Sequence, residues 1–174
     1  MILKSYKTEK LNKNFITEIC KLKNTYWVWK LKKQIEWFHK NVKKKDIHNI
    51  LYIKKKVIGY TLLRYRKAII KNKKINYYYF DSMIIKKNYR KKNYGKYLML
   101  FNNLIIKKNK LHSFLITTKT NINFYKKSNW ILLKKHNFKL MDHKSKWLKK
   151  KEDINGMIYN LRVSKKFKAN YFLN

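Results

Sequence analysis

The chain has 174 residues, 46 of them Lys or Arg and 8 Asp or Glu, for a formal net charge of +38, while 45% are hydrophobic and 16% aromatic. That apolar content supports one packed α/β or α+β domain, argues against disorder despite the charge, and leaves little room for a second full domain. No run of about 18 apolar residues occurs and the opening MILKSYKTEK lacks a signal-peptide pattern, so a membrane-spanning or secreted protein is disfavoured; a single cysteine, Cys20, excludes an internal disulfide and makes the cytoplasm the expected compartment. The surplus of positive charge is read either as a surface for an anionic partner or as compositional drift in a chain rich in Lys, Asn, Ile and Tyr.

In chain order, Ile2 to Tyr6 predicts a short strand, followed by helices around Leu11 to Leu22 and Leu31 to Val42. In the second helix Leu31, Ile35, Phe38 and Val42 recur at helical spacing and make one apolar face. Lys43 to Asp46 reads as a solvated loop. Ile47 to Ile53 and Val57 to Tyr65 predict a hairpin turning at Lys54 to Lys56, with Gly59 marking a bulge or a close backbone approach. After a charged link, Lys71 to Lys74, comes a long strand, Ile75 to Ile85, in which only Asp81 is charged. The basic loop Lys86 to Lys92 leads into a helix whose face is Tyr94, Leu98, Phe101 and Ile105. Leu111 to Thr117 predicts a strand, Asn121 to Asn129 a short helix, and Trp130 to Leu133 and Phe138 to Met141 two further strands. Strand, loop, helix and strand in succession imply a crossover that makes a parallel pair in an otherwise antiparallel sheet. Residues 1–143 are expected to hold the domain and 144–174 to be a basic, weakly periodic extension packed on it.

The segment that carries chemistry runs from Asp81 through Tyr89-Arg90-Lys-Lys-Asn-Tyr-Gly95 into the helix, with Phe124-Tyr125-Lys-Lys-Ser-Asn-Trp130 downstream. A loop between a strand and a helix N-terminus presents unpaired backbone N–H groups and the positive end of the helix dipole, which suits a pyrophosphate. Gly95 admits close approach of a ligand, Asn93 tolerates a left-handed conformation, and Arg90, Lys91, Lys92 and Lys96 concentrate positive charge. The plainer reading of these residues alone is a basic turn capping a helix.

These segments resemble the GNAT superfamily of acyl-CoA N-acyltransferases, whose signature is Arg or Gln, two residues, Gly, one residue, then Gly or Ala. Arg90-Lys-Lys-Asn93-Tyr-Gly95 matches at its first and last positions, with Asn93 in place of the first glycine, and the lead Lys87-Asn-Tyr89-Arg90 has lysine where the family often has proline. Phe124-Tyr125 through Trp130 is similar to the second hallmark of the family, with Asn129 where a glycine usually stands. The resemblance covers about Ile50 to Met141.

It implies an α/β (α+β) fold with a central mixed, mostly antiparallel, twisted sheet flanked by helices, and a splayed parallel strand pair at the acyl-CoA site. The co-substrate implied is acetyl-CoA, with backbone contacts from Met83, Ile84 and Ile85 and pyrophosphate contacts from Arg90, Lys91, Lys92, Asn93, Tyr94, Gly95 and Lys96. Tyr125 corresponds to the tyrosine that protonates the departing thiolate. Asp81 is the candidate general base, against the alternative of a carboxylate neutralised by surrounding lysines. Trp27, Trp29, Trp37 and Phe38 are candidates for an acceptor pocket, since the family places its early helices there; core packing is the alternative. No metal is expected, because His39, His48, His112, His136 and His143 lack ligand spacing, and Cys20 reads as packing.

The expected activity is direct transfer of an acetyl group from acetyl-CoA to a primary amine. The expected acceptor is a small molecule such as an amino sugar or a nucleotide-linked amine, because a basic surface favours anionic substrates; a protein N-terminus or lysine is the open alternative. The rival reading is a nucleic-acid- or ribosome-associated basic binder, which rests on composition alone. A monomer and a homodimer fit the sequence equally.

Overall fold

Period-two runs of β-branched and aromatic residues become strands, and apolar stripes at helical spacing become helices, in the computed structural model, which describes residues 1–142, 144, 146–148, 154–164 and 166–173. In chain order the elements are β1 (Ile2–Lys7), α1 (Lys13–Asn24), α2 (Leu31–Asn41), β2 (Ile47–Ile53), β3 (Lys56–Ile70), β4 (Lys73–Ile85), α3 (Tyr94–Lys108), β5 (Ser113–Thr117), α4 (Ile122–Lys126), β6 (Ile131–Leu132), β7 (Phe138–Met141), β8 (Asn155–Tyr159) and β9 (Ala169–Phe172). Strand pairing is mixed and mostly antiparallel, as expected, with β4–β5 and β7–β9 the parallel pairs among the described residues. No helix among those residues is long and apolar enough to cross a membrane. The chain divides into two compact units, Met1–Arg64 with Phe80–Asn102, and Tyr65–Tyr79 with Asn103–Asn174.

In the first unit β2 pairs antiparallel with both β1 and β3, and β4 lies beside β3. The β2–β3 turn is shorter than the expected three lysines. Lys54 and Lys55 both take positive φ, 46° and 61°, so that Ile53 pairs directly with Lys56. That is the backbone of a two-residue hairpin turn, whose twist matches the flanking strands. Gly59 serves both purposes expected of it. The register slips between Leu51 and Tyr52, and a Cβ on Gly59 would lie 2.7 Å from Ile85 Cδ1 and 3.1 Å from Leu51 Cβ.

Successive strand residues face opposite sides, so β2 and β3 feed two clusters. Ile50, Val57, Tyr60 and Leu62 pack with Ile19 and Leu22 of α1, whereas Leu51 and Ile58 pack with Leu98 of α3. Burying Ile19 and Leu22 contributes about 1.5–3 kcal/mol each. Asn12 caps α1 by accepting from Phe15 N–H at 2.9 Å. Asn102 anchors α3, its Oδ1 accepting from Asn49 Nδ2 and Thr61 Oγ1 at 2.7 Å each. Lys43 to Lys45 are exposed, as expected of a solvated loop, whereas Asp46 is fully buried, its carboxylate accepting from Lys43 N–H at 2.9 Å and its carbonyl from Thr8 N–H at 3.0 Å.

In the second unit β4 pairs with β5 through Tyr78–Ser113 and Tyr79–Phe114, β5 pairs with β8, and β8 with β6. β9 lies antiparallel to β3 and parallel to β7. The core gathers Tyr77, Phe114, Phe138, Ile158 and Tyr171, with the Phe114 and Tyr171 rings stacked at 4.0 Å. The bare backbone of Gly156 makes room for the Phe138 ring, whose carbons would lie 2.6 Å from a Cβ there. β3 runs past the expected Tyr65 to Ile70, and the expected charged link shrinks to a turn at Lys71 and Asn72, both with positive φ. Strand conformation continues through Arg66 because its buried guanidinium is satisfied, donating from Nε to Leu173 O at 3.0 Å and from Nη1 to Tyr65 O at 2.7 Å. β8 and β9 come from the segment after residue 143, in which the sequence is only weakly periodic.

Candidate active site

At the end of β4 the chain leaves the strand, with Lys86 N–H donating to Ile58 O at 2.8 Å, and makes a 3₁₀ turn at Lys87–Tyr89. Arg90 is extended and folds back on the strand: its Nε donates to Ile85 O at 3.0 Å, and its guanidinium lies 5.8 Å from the centre of the Tyr26 ring. Lys91 and Asn93 then take left-handed backbone, each at φ 61°, before α3 begins at Tyr94. Among the described residues nothing accepts a hydrogen bond from the backbone N–H groups of residues 91–96, and Lys91, Lys92, Asn93 and Lys96 are exposed. Free N–H groups at a helix start, ringed by lysines, fit a diphosphate through backbone donors, with side chains adding charge. Gly95 does not have positive φ. Asn93 does, which explains why a position held by glycine in the signature accepts asparagine and few other residues here.

On the same strand, Asp81 and Ser82 meet α1, α2 and the segment between them around a pocket of about 190 Å³. Its walls are the indoles of Trp27, Trp29 and Trp37, and its polar groups belong to Lys23, Gln34, Asp81 and Ser82. Ser82 has φ 59°, a left-handed residue inside a strand, which interrupts the alternation of β4 directly after Asp81. Ser82 Oγ donates to Asp81 Oδ1 at 2.9 Å. Arg64 Nη1 approaches Asp81 Oδ2 at 3.5 Å, a long contact, while Arg64 Nη2 donates to Asn41 O at 3.1 Å. Asp81 therefore presents its side chain to the pocket with one firm hydrogen bond, from Ser82, and Arg64 as a distant ion-pair partner.

Lys23 is only 4% exposed. Its Nζ sits 3.7 Å from the centre of the Trp37 ring and makes no hydrogen bond among the described residues. Burial pulls its pKa below the ordinary lysine value, Asp81 and Cys20 push it back up, and Arg64 pulls it further down. Gln34, 1% exposed, donates from Nε2 to Trp27 O at 2.8 Å, but its Oε1 has no partner. No feature of the sequence marks Lys23 among 46 basic residues, or Gln34 on a helix read for its apolar face.

Of the four aromatics expected at an acceptor pocket, Trp27, Trp29 and Trp37 line it and Phe38 does not. Phe38 is buried and stacks on His48 at 5.5 Å. His48 is held between Thr8 Oγ1 and the Tyr60 hydroxyl, each at 2.9 Å, and burial, with Lys23 adding, pushes its pKa down to about 3. Cys20 is buried, and desolvation raises its thiol pKa to about 11, which leaves it unreactive. His112 stacks on Tyr77, and His143 lies outside the described residues.

In the second unit Tyr125, on α4, is 9% exposed and packs between Phe124 at 5.2 Å and Trp130 at 6.2 Å. The Trp130 indole donates to Asn103 Oδ1 at 3.1 Å, and Asn103 Nδ2 to Ser128 O at 2.8 Å, which fixes the segment that follows Tyr125. Asn129 has φ 63°. The second glycine position of the resemblance thus demands the same left-handed backbone as the first.

The sequence model of the Acetyltransferase (GNAT) family matches residues 14–130. No curated protein sequence matches significantly. Among solved structures, Escherichia coli ElaA is similar at a TM-score of 0.67 and 10% identity, covering 90% of this chain and 97% of that one. The aminoglycoside 6'-N-acetyltransferase from Enterococcus faecium is similar at a TM-score of 0.63 and 11% identity, covering 91% and 96%. A GNAT-family acetyltransferase from Staphylococcus aureus Mu50 is similar at 0.60 and 15% identity, covering 92% and 100%. At these identities the likeness is one of fold.

Proposed function

We infer the reaction from one premise: this chain belongs to the acetyltransferase (GNAT) family and is an acetyl-CoA-dependent N-acetyltransferase. The diphosphate of acetyl-CoA is held by the backbone N–H groups of residues 91–96, with Arg90, Lys91, Lys92 and Lys96 around it, while Met83, Ile84 and Ile85 supply the strand backbone along which the pantetheine lies. A backbone N–H aimed at the thioester oxygen stabilises the charge that develops there when an amine attacks. Asp81 takes the proton that the attacking nitrogen must lose, directly or through a water. The C–S bond breaks as the C–N bond forms, and the hydroxyl of Tyr125 protonates the thiolate, giving the N-acetylated amine and free CoA. The acceptor is a small amine that enters the pocket of Trp27, Trp29 and Trp37.

The observation that carries this reading is the run of unpartnered N–H groups following a strand that also presents Asp81. Thermal unfolding with acetyl-CoA, at moderate and high salt and against an unrelated polyanion of matched charge, tests it. Acetyl-CoA is expected to raise Tm in a manner that survives high salt. Equal stabilisation by any polyanion, abolished by salt, overturns the reading in favour of a basic binding surface. A Tyr125→Phe variant is expected to lose about 10²–10⁴-fold in turnover with the acetyl-CoA Tm shift kept; undiminished turnover removes Tyr125 from its role.

A further inference from the structure

The pocket beside Asp81 holds three polar groups whose needs are mismatched in the protein alone. Lys23 is a buried residue that lines the pocket, and its ammonium lies on Trp37 with no hydrogen-bond acceptor among the described residues. Gln34 Oε1 is enclosed and has no donor. Asp81 faces the same space with Arg64 at 3.5 Å behind it. A buried polar group without a partner is costly, and more so when charged, so a pocket that keeps two of them is shaped for a molecule that supplies what they lack. Lys23 lacks an anionic acceptor, while Gln34 and Asp81 offer acceptors to an N–H donor.

Resting on the acetyl-transfer reading, we propose that the acceptor is a compact amine that also carries a carboxylate, an amino acid being the simplest form, with its amine toward Asp81 and Gln34 and its carboxylate on Lys23. Lys23 is then the specificity-determining residue of the acceptor site. Charge supports this choice. With Lys23 and Arg64 set against Asp81, a ligand bearing one positive and one negative group meets complementary charge at both ends, whereas a polycation meets like charge. Size agrees. A pocket of about 190 Å³ falls below the ~300–1,000 Å³ of sites for drug-sized ligands. The three indoles leave flat apolar walls for the body of such a ligand. The polycationic substrate class named for the Enterococcus faecium structure is therefore the wrong kind for this pocket, despite the shared fold.

The test uses the full chain and two readouts, release of CoA thiol and ligand-induced Tm shift. The probes are phenylalanine against phenylalaninamide, and kanamycin as the polycation. Phenylalanine is expected to raise Tm more than its amide and to be acetylated, and Lys23→Met is expected to change the ratio of KM for phenylalanine to KM for the amide at least tenfold. Taking the ratio within each protein cancels the difference in amine basicity between the two probes. An unchanged ratio in Lys23→Met, or preference of the wild type for the amide or kanamycin, overturns the assignment. Turnover of those amines with no use of phenylalanine leaves the acetyl-transfer reading standing and removes only the carboxylate. Absence of an acetyl-CoA Tm shift and of CoA release with every amine sinks that reading instead, and the phenylalanine-against-amide Tm shift still decides the pocket. Should Lys23→Met fail to fold, the same wild-type Tm comparison decides it.

Discussion

Replacing Lys23 with methionine is expected to stabilise the protein while it blunts acceptor choice. The side chain is 4% exposed, and its ammonium makes no hydrogen bond among the described residues. Leaving a buried charged group unpaired costs upwards of ~1–3 kcal/mol. The Trp37 face at 3.7 Å offsets ~0.5–2 kcal/mol of that, and Asp81 offsets a further part. Methionine keeps the length of the stem and regains ~0.3–1.5 kcal/mol from sulfur against the same rings. The balance favours Lys23→Met by about 1–2 kcal/mol, or about 2–8 °C in Tm for a chain of this size. The advantage should also depend on pH. Lys23 has its pKa lowered in the folded protein by burial, against Asp81 and Cys20, which raise it, and with Arg64, which lowers it further. Between that lowered value and about 10.4, where an unfolded lysine titrates, the unfolded chain binds the extra proton, so wild-type stability rises with pH. The gap to Lys23→Met is thus widest below the folded pKa and closes as pH climbs toward about 10.4. Urea unfolding of both proteins from about pH 6 to pH 10 measures the gap. A variant less stable than wild type, or a gap constant across that range, refutes the argument that the ammonium is desolvated and unpartnered.

Two further outcomes follow from other sites. Asn93→Gly and Asn129→Gly should fold with stability equal to or slightly above wild type, whereas valine at either position, where φ is 61° and 63°, should cost at least about 1–2 kcal/mol by urea unfolding; with Asn93→Val a weaker acetyl-CoA Tm shift should accompany the loss. His48, held neutral with a pKa of about 3, makes the unfolded state the better proton acceptor below about pH 6.5, so stability should fall by up to about 1.4 kcal/mol per pH unit from this site as pH drops toward 3, a slope that His48→Asn should remove.

Much of the frame is legible because it rests on periodicity. β1, α1, α2, β2, β4 and α3 lie within a few residues of where alternation and helical stripes place them. The candidate site is read from two short segments, and the residues that depart from the family pattern, Asn93 and Asn129, both take left-handed backbone. What stays hidden depends on tertiary context. Nothing in the sequence marks Arg64 and Arg66 for burial, yet both are buried, since carbonyls of distant segments accept from them. β8 and β9 are five and four residues long, too short for alternation to stand out among lysines. Lys23 becomes special only when Trp37, Gln34 and Asp81 are brought around it by elements far apart in sequence.

Arg66 also ties together parts of the second unit that are far apart in sequence. Its Nε donates to the carbonyl of Leu173 across 107 residues of chain, and the Tyr77 hydroxyl to that of Phe172 across 95. Loops of that span close late. Until β9 arrives, Arg66 has no carbonyl there to allow its burial, and the end of β3 that pairs with β9 stands as an open edge. The edge of β3 at Ala68–Ile70 thus gains its partner strand only through contacts of long sequence separation, and the guanidinium of Arg66 just before it is the kind of charge that disfavours pairing of an open edge with a second copy.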